Sequence, residues 1–274
     1  MKSLAYLGPD GTFSAILARQ RFGNPTILFD CKTIEEIFDR LLAGKVDAGL
    51  IPVENSSGGT VYDSVDLLIR HAGKFSIREE LTMDIRIALL GRPGKSVRTI
   101  YSHFIQIKHH TAWLKEHFPN AKLVSVSSTA VAAQRASETR NSAALASPGT
   151  AALYGLDVLE FPSGGEPVNV TNFFVISRRP PAVRKSGRTA LIAALPNECG
   201  SLHRFLGPFA RERVSLTRIV SRPVPGQPQT YVFYVEIEGG ASTPSVKRAL
   251  ERAGKIVRSL DNLGTFSIGR RFCS

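Results

Sequence analysis

The sequence predicts an α/β protein in two parts, a two-lobed unit over residues 1–178 and a ferredoxin-like βαββαβ module over residues 188–274, joined by a linker at 179–187. Three observations predict it. Short apolar runs alternate with helix-period stretches through the first part, which is the pattern of strands joined by crossover helices. A Pro- and Arg-rich segment then breaks the pattern, and the pattern restarts at Arg188. Charge shifts at the same place: residues 1–177 carry 18 Lys+Arg against 17 Asp+Glu, and residues 188–274 carry 13 against 6.

Taken in order, Ser3 to Leu7 is an apolar strand, and Gly8-Pro9-Asp10-Gly11 turns sharply out of it. Thr12 or Ser14 caps a helix carrying Phe13, Ile16, Leu17 and Phe22, which Gly23-Asn24-Pro25 ends. Residues 26–29 form a strand. Thr33 caps the helix 34–43, whose Ile34, Ile37, Phe38 and Leu41 make one apolar stripe. Residues 48–53 form a third strand and 63–71 a helix. Residues 75–90 form one or two long strands that cross between lobes. The second lobe then has strands at 98–102, 122–126 and 141–146, with helices at 106–117, 129–137 and 148–154. The apolar run from Phe173 to Ile176 is a covered strand that returns the chain to the first lobe. Beyond the linker, strands at 189–195, 216–221, 231–237 and 256–263 and helices at 201–211 and 245–253 complete the small module.

The 274 residues are 43% hydrophobic and 21% charged, as in a globular chain. No apolar run approaches the roughly 18 residues that cross a bilayer, so no membrane association is expected. The opening residues are broken too soon by Gly8-Pro9 to read as a signal peptide. Cys31, Cys199 and Cys273 are odd in number and widely spaced, which predicts neither a disulfide framework nor a metal site and suits a reducing cytoplasm. The basic second part has no zinc-finger spacing and no aromatic RNP-like strand, so it reads as a solvated surface rather than a nucleic-acid partner. Gly-x-Ser-x-Gly, dinucleotide and P-loop fingerprints are absent, and the chemistry is expected to need no cofactor.

Polar residues gather at the carboxyl ends of the predicted strands. Thr12 and Ser14 follow the first strand; Glu54, Asn55, Ser56 and Gly59 follow the third. Ser102 and His103 follow the fifth, Ser128 and Thr129 the sixth, and Thr171 and Asn172 open the returning strand before Phe173. Gly-rich turns feeding helices present free backbone N–H groups, so these clusters together predict a hydroxyl-rich cleft for an anion.

At these positions the sequence resembles the prephenate dehydratases. The resemblance rests on Tyr6-Leu7-Gly8-Pro9-Asp10-Gly11-Thr12-Phe13-Ser14, on Ile51-Pro52-Val53-Glu54-Asn55-Ser56 with Gly59, on Tyr101-Ser102-His103, on Ser128-Thr129-Ala130 and on Leu153-Tyr154-Gly155-Leu156. It implies a periplasmic-binding-protein-like (type II) catalytic domain followed by an ACT domain. It also implies conversion of prephenate to phenylpyruvate and feedback control by L-phenylalanine, in a homodimer or homotetramer. Thr171 and Phe173 match the family's Thr-Arg-Phe motif, with Thr171 as the implied catalytic acid. Asn172 stands where that motif has arginine, and Phe104-Ile105 where the family has Pro-Gln. Lys108 and His103 are candidate cations to replace the missing charge.

The implied effector residues are Gly200, Ser201 and Leu202 with Ser221, Arg222 and Pro223; Val220 replaces a family glutamate. Two other readings stand beside this one: a prephenate decarboxylase that leaves the ring non-aromatic, suggested by Asn172 and Phe104-Ile105, and a non-catalytic binding protein that keeps the two-lobe cleft and a sensing module.

Overall fold

The computed structural model describes residues 1–162, 169–178, 186–224, 226–227 and 229–274. Most of the predicted linker, 179–185, lies outside the described residues. The chain opens β1 (Ser3–Leu7), α1 (Phe13–Phe22), β2 (Ile27–Cys31), α2 (Ile34–Leu42), β3 (Ala48–Asn55). Thr12 and Thr33 cap the two helices, their hydroxyls accepting from the Ala15 and Glu36 N–H groups. Such a cap stabilises a helix by about 1 kcal/mol. A two-residue β4 (Gly59–Thr60) pairs back on β3 and leads into α3 (Tyr62–Arg70).

The stretch expected as one or two strands is two, β5 (Ser76–Asp84) and β6 (Ala88–Gly91), and it carries the chain from one sheet into another. The second lobe follows with β7 (Thr99–His103), α4 (Phe104–His109), α5 (Thr111–His117), β8 (Lys122–Val126), α6 (Thr129–Glu138) and β9 (Ser142–Ala146). Two 3₁₀ turns, at Pro148–Thr150 and Ala152–Tyr154, and β10 (Asp157–Glu160) precede the return strand β11 (Val170–Ser177). The helix expected over 106–117 is two. It breaks at His110 (φ −101°, ψ 17°), where the Thr111 hydroxyl donates to the carbonyls of Ile107 and Lys108 and so competes for helical acceptors. β10, with only Leu159 of its four residues turned partly inward, has no apolar alternation to announce it.

The small module is β12 (Arg188–Ala194), α7 (Ser201–Arg211), β13 (Leu216–Pro223), β14 (Tyr231–Glu238), α8 (Pro244–Gly254) and β15 (Ser259–Cys273). Its sheet order, β13-β14-β12-β15, is antiparallel throughout. The last strand differs from expectation: it runs through Gly264 to Cys273 instead of stopping near Leu263. Up to Phe266 it pairs with β12; from Ser267 it pairs in parallel with β5. The two modules therefore share one sheet, ordered β13-β14-β12-β15-β5-β11-β3-β1-β2. Gly269 permits the junction, because a Cβ there would come within 2.6 Å of Leu81 Cδ2 and 3.0 Å of the Glu80 carbonyl oxygen. The second sheet, β10-β6-β9-β7-β8, stands apart.

The core is shared in the same way. Ile37, Phe38, Leu41 and Val65 of the first module are in one buried cluster with Ile192, Tyr234 and Phe266 of the second. Leu4, Leu50, Phe173 and Val175 pack on the opposite side with Trp113, Leu114 and Leu145 of the second lobe. No helix among the described residues is long and apolar enough to cross a membrane.

Candidate active site

A cavity of about 420 Å³ lies between the two sheets. The turn after β1, Lys32 after β2, Pro52 of β3, and Thr171 and Phe173 of β11 form one wall. His103, Gln106 and the Ser127–Thr129 segment that leads into α6 form the other. The lobes touch around it: the Tyr154 hydroxyl donates to the Asp10 carbonyl (3.0 Å). Gly11, at φ +85°, sits so close that a Cβ would come within 2.9 Å of Thr150 Cγ2.

Thr171 is 8% exposed and pairs with Asn55 of β3 and Met83 of β5, so its position is set from both sides. Asn55 also fixes its hydroxyl. The Asn55 carbonyl oxygen accepts from the N–H groups of Ser57 (3.0 Å) and Gly58 (2.7 Å), which leaves the amide nitrogen for Asn169 Oδ1 (2.8 Å) and Thr171 Oγ1 (2.9 Å). An amide NH₂ can only donate. Thr171 therefore accepts that bond, and its own hydrogen is available to the cavity.

Two helices direct their N-termini at the same space, one from each lobe. α1 starts behind Thr12, whose hydroxyl donates to the Leu7 carbonyl (2.9 Å), and Phe13 and Ser14 line the wall. α6 starts behind Ser128, whose hydroxyl accepts from the Val131 N–H (3.1 Å). Each N-terminus carries roughly half a positive charge, so the cavity suits a ligand with two negative groups. Lys32, exposed at the rim, is the lysine in the lining. Burial holds His103 below its ordinary pKa of 6.5, so at neutral pH it is an uncharged ring rather than a cation.

Several predicted residues stand elsewhere. Glu54 turns away from the cavity and pairs with Arg218 of β13 (2.6 Å). Asn55 and Ser56 brace the wall from behind; Ser56 Oγ accepts from the Val170 N–H (2.9 Å) and its own N–H donates to the Val170 carbonyl. Gly59 begins β4 at φ +78°. Ser102 is fully buried and donates to the Leu145 carbonyl (2.7 Å), so it ties β7 to β9. Lys108 is exposed outside the lining, and Phe104 is 59% exposed.

Asn172 is the main correction. Side chains alternate along β11, so Thr171, Phe173 and Val175 share one face while Asn172 shares the other with Phe174 and Ile176. There its carbonyl oxygen accepts from the Thr82 hydroxyl (3.1 Å). A charged group at 172 would not reach the cavity from that face. Asn172→Ala is accordingly expected to leave KM and kcat within about twofold, as for a residue outside the site. A severalfold rise in KM would return position 172 to the binding surface.

Residues 4–181 match the prephenate dehydratase family and residues 189–255 match the ACT domain family. The chain belongs to the prephenate dehydratase family. It is similar to the bifunctional chorismate mutase/prephenate dehydratase of Stutzerimonas stutzeri, 37% identical over 265 residues that span 96% of this chain and 72% of that protein. Among solved structures it is similar to the prephenate dehydratase of Arthrobacter aurescens in complex with L-Phe, with a TM-score of 0.86, 32% identity, and coverage of 97% of this chain and 89% of that one. It is also similar to GqqA, described as a novel type of quorum quenching acylase, with a TM-score of 0.86, 26% identity and 97% and 98% coverage.

Two polar lining residues of this prephenate dehydratase family member, Lys32 and Gln106, are not among those the sequence predicts. Lys32 follows the carboxyl end of β2, and the rule that located polar groups after the other strands locates it as well. The sequence pattern starts a helix at Gln106; in the structure that helix starts two residues earlier, and Gln106 lies buried in its first turn.

In the ACT module the six expected effector residues do not share one hollow. Ser201 and Leu202 line a cavity of about 150 Å³ with Asn197 and Tyr231, and Gly200 caps α7 at φ +76°. Arg222 and Pro223 line another of about 350 Å³ beside α3, where Arg222 forms a two-bond pair with Asp66 (2.5 and 2.6 Å). Ser221 lies in β13 between them in sequence and lines neither.

Proposed function

We propose that this chain converts prephenate to phenylpyruvate, carbon dioxide and water, with Thr171 as the hydrogen donor to the departing oxygen. The observation that carries the reading is the Thr171 hydroxyl, fixed as an acceptor by Asn55 and free to donate into a cavity flanked by two helix N-termini. Prephenate bears two carboxylates, a ketone and a ring hydroxyl. One carboxylate suits the α1 terminus beside Lys32, and the other suits the α6 terminus. The bond from the ring to its carboxylate breaks, and its electron pair enters the ring. The opposite C–O bond breaks, and the leaving oxygen takes a proton through Thr171, whose hydroxyl is restored from solvent. Aromatisation supplies the driving force, so the protein needs to bind, orient and donate one hydrogen.

The test is incubation of the purified protein with prephenate, following phenylpyruvate absorbance and released carbon dioxide together. Equal amounts of the two products support the reading. Carbon dioxide with no aromatic product, or no turnover, excludes it. The decarboxylase alternative draws on Asn172 and on Phe104-Ile105; Asn172 bonds Thr82 on the face away from the cavity, and neither Phe104 nor Ile105 lines it, which weighs against that alternative.

Lys32→Met is expected to raise KM about tenfold with little change in kcat, at the low end for a charge-assisted hydrogen bond because the rim is wet. An unchanged KM would place the carboxylate elsewhere.

The two sheets read as lobes of a periplasmic-binding-protein-like clamp, with Tyr154 and Asp10 meeting across its mouth. Compaction in small-angle scattering on adding substrate is the measurement that decides this. The ACT module is read as a sensor for L-phenylalanine near Ser201 and Leu202. Its edge strand β13, with Ile219 exposed, suits pairing with a second copy in a dimer or tetramer. Calorimetric titration with phenylalanine and sedimentation of the free protein test these two statements.

A further inference from the structure

We infer that Gln106 is a substrate-orienting residue, accepting the hydrogen of the ring hydroxyl that leaves. The inference rests on the proposed dehydratase reading. Gln106 lies in the first turn of α4, lines the cavity opposite Thr171, and is 7% exposed. Its carbonyl oxygen is buried and finds no hydrogen-bond partner among the described residues. Leaving a buried amide oxygen unpaired is destabilising, so an amide kept there without a protein partner calls for one from outside.

The chemistry of the ligand selects that partner. The carboxylates and ketone of prephenate only accept hydrogen bonds at neutral pH. Its ring hydroxyl is the one group that can donate. Most other polar groups around the cavity act as donors toward anions: Lys32, the hydroxyls of Ser127 and Thr129, the N–H groups of two helix starts, and Thr171. An amide carbonyl is the complementary acceptor. An amide can also present either end by a half turn about its last torsion.

Held between the two, the hydroxyl gives its hydrogen to Gln106 and turns a lone pair to the Thr171 hydrogen. As the C–O bond lengthens and the oxygen gains a second hydrogen, it becomes a stronger donor. The bond to Gln106 therefore tightens toward the transition state, and its loss falls on kcat more than on KM.

Gln106→Leu tests this, with the thermal midpoint measured alongside the kinetics. The expected result is a fall in kcat of about tenfold to a hundredfold with KM nearly unchanged, as for an interaction made stronger in the transition state. The midpoint should hold or rise, because hydrocarbon replaces an amide whose buried oxygen finds no partner among the described residues. A variant within about twofold of wild type in kcat overturns the inference. So does a fall in activity matched by a fall in the midpoint, which marks a packing role. If the wild-type protein does not turn over prephenate, both this inference and the dehydratase reading fall; an active wild type with an unimpaired Gln106→Leu variant removes this inference alone.

Discussion

Replacing Thr171 with alanine is expected to lower kcat for phenylpyruvate formation by about 10²–10⁴-fold, the range for losing a positioned proton donor. The fold should survive, because the change removes a hydroxyl and a methyl from a strand held on both sides by β3 and β5. KM should move little, since the helix N-termini and Lys32 still hold the carboxylates. Thr171→Ser keeps Oγ and should retain most of the rate. Thr171→Val keeps the shape without the oxygen and should behave as the alanine does. Steady-state kinetics on the three variants decide the matter. A valine variant as active as the serine variant would show that the hydroxyl does no chemistry and would return the donor role to another group at the cavity.

Replacing Arg218 with methionine is expected to be the most destabilising single change at the junction of the two modules. Arg218 is almost fully buried on β13. It contacts Glu236 beside it on β14, Glu54 at the end of β3 (2.6 Å) and Glu80 of β5 (3.6 Å). Burial opposes its charge, but Glu236 and Glu54 outweigh that and keep the guanidinium firmly protonated. Glu236 shows the complementary strain: burial pushes its carboxyl above the ordinary range, while Arg218 and the Tyr234 hydroxyl, which donates to it at 2.7 Å, pull the other way.

Without Arg218, two nearly inaccessible carboxylates lose a counter-charge, a change that costs about 3–5 kcal/mol when one partner of a buried pair is removed. For a chain of this size that corresponds to a drop in Tm on the order of 10 °C. The double variant Arg218→Met, Glu236→Gln should recover part of it, because the orphaned charge goes with its partner. Thermal unfolding followed by circular dichroism measures both. A single variant that melts with the wild type would mean that water reaches the cluster and screens it. Glu54 directly precedes Asn55, the residue that holds the Thr171 hydroxyl, so the single variant should also lose activity beyond its loss of folded protein.

How far the site could be read from the chain depends on the geometry of each residue. Thr12, Ser14, His103, Ser128 and Thr129 end or follow strands or begin helices, and the local rule that places polar groups at such ends brings them to the cavity wall. Thr171 and Asn172 were inseparable on that rule. Adjacent residues of a strand point to opposite faces, and only the packing of Phe173 against one core and Phe174 against the other says which face meets the cavity. Ser102, Glu54, Asn55 and Ser56 have the right chemistry for a binding surface. Their partners, at Leu145, Arg218, Thr171 and Val170, lie more than forty residues away in each case, and no periodicity reports them.

By itself the sequence determined most of the elements, the crossing between lobes within residues 75–90, the restart of the pattern at Arg188 and the residues that resemble the prephenate dehydratases. Those are local properties: apolar period, caps, turn residues and contiguous motifs. The sequence did not show β10, the break at His110 or the length of β15. The tertiary structure alone decided that β15 joins β5, that Glu54 answers to Arg218, and that Gln106 faces the cavity while Asn172 does not. Each of these depends on which surface of one element meets another distant in the chain. That meeting is selected by the burial of whole faces together, a sum over many residues to which any single position contributes little.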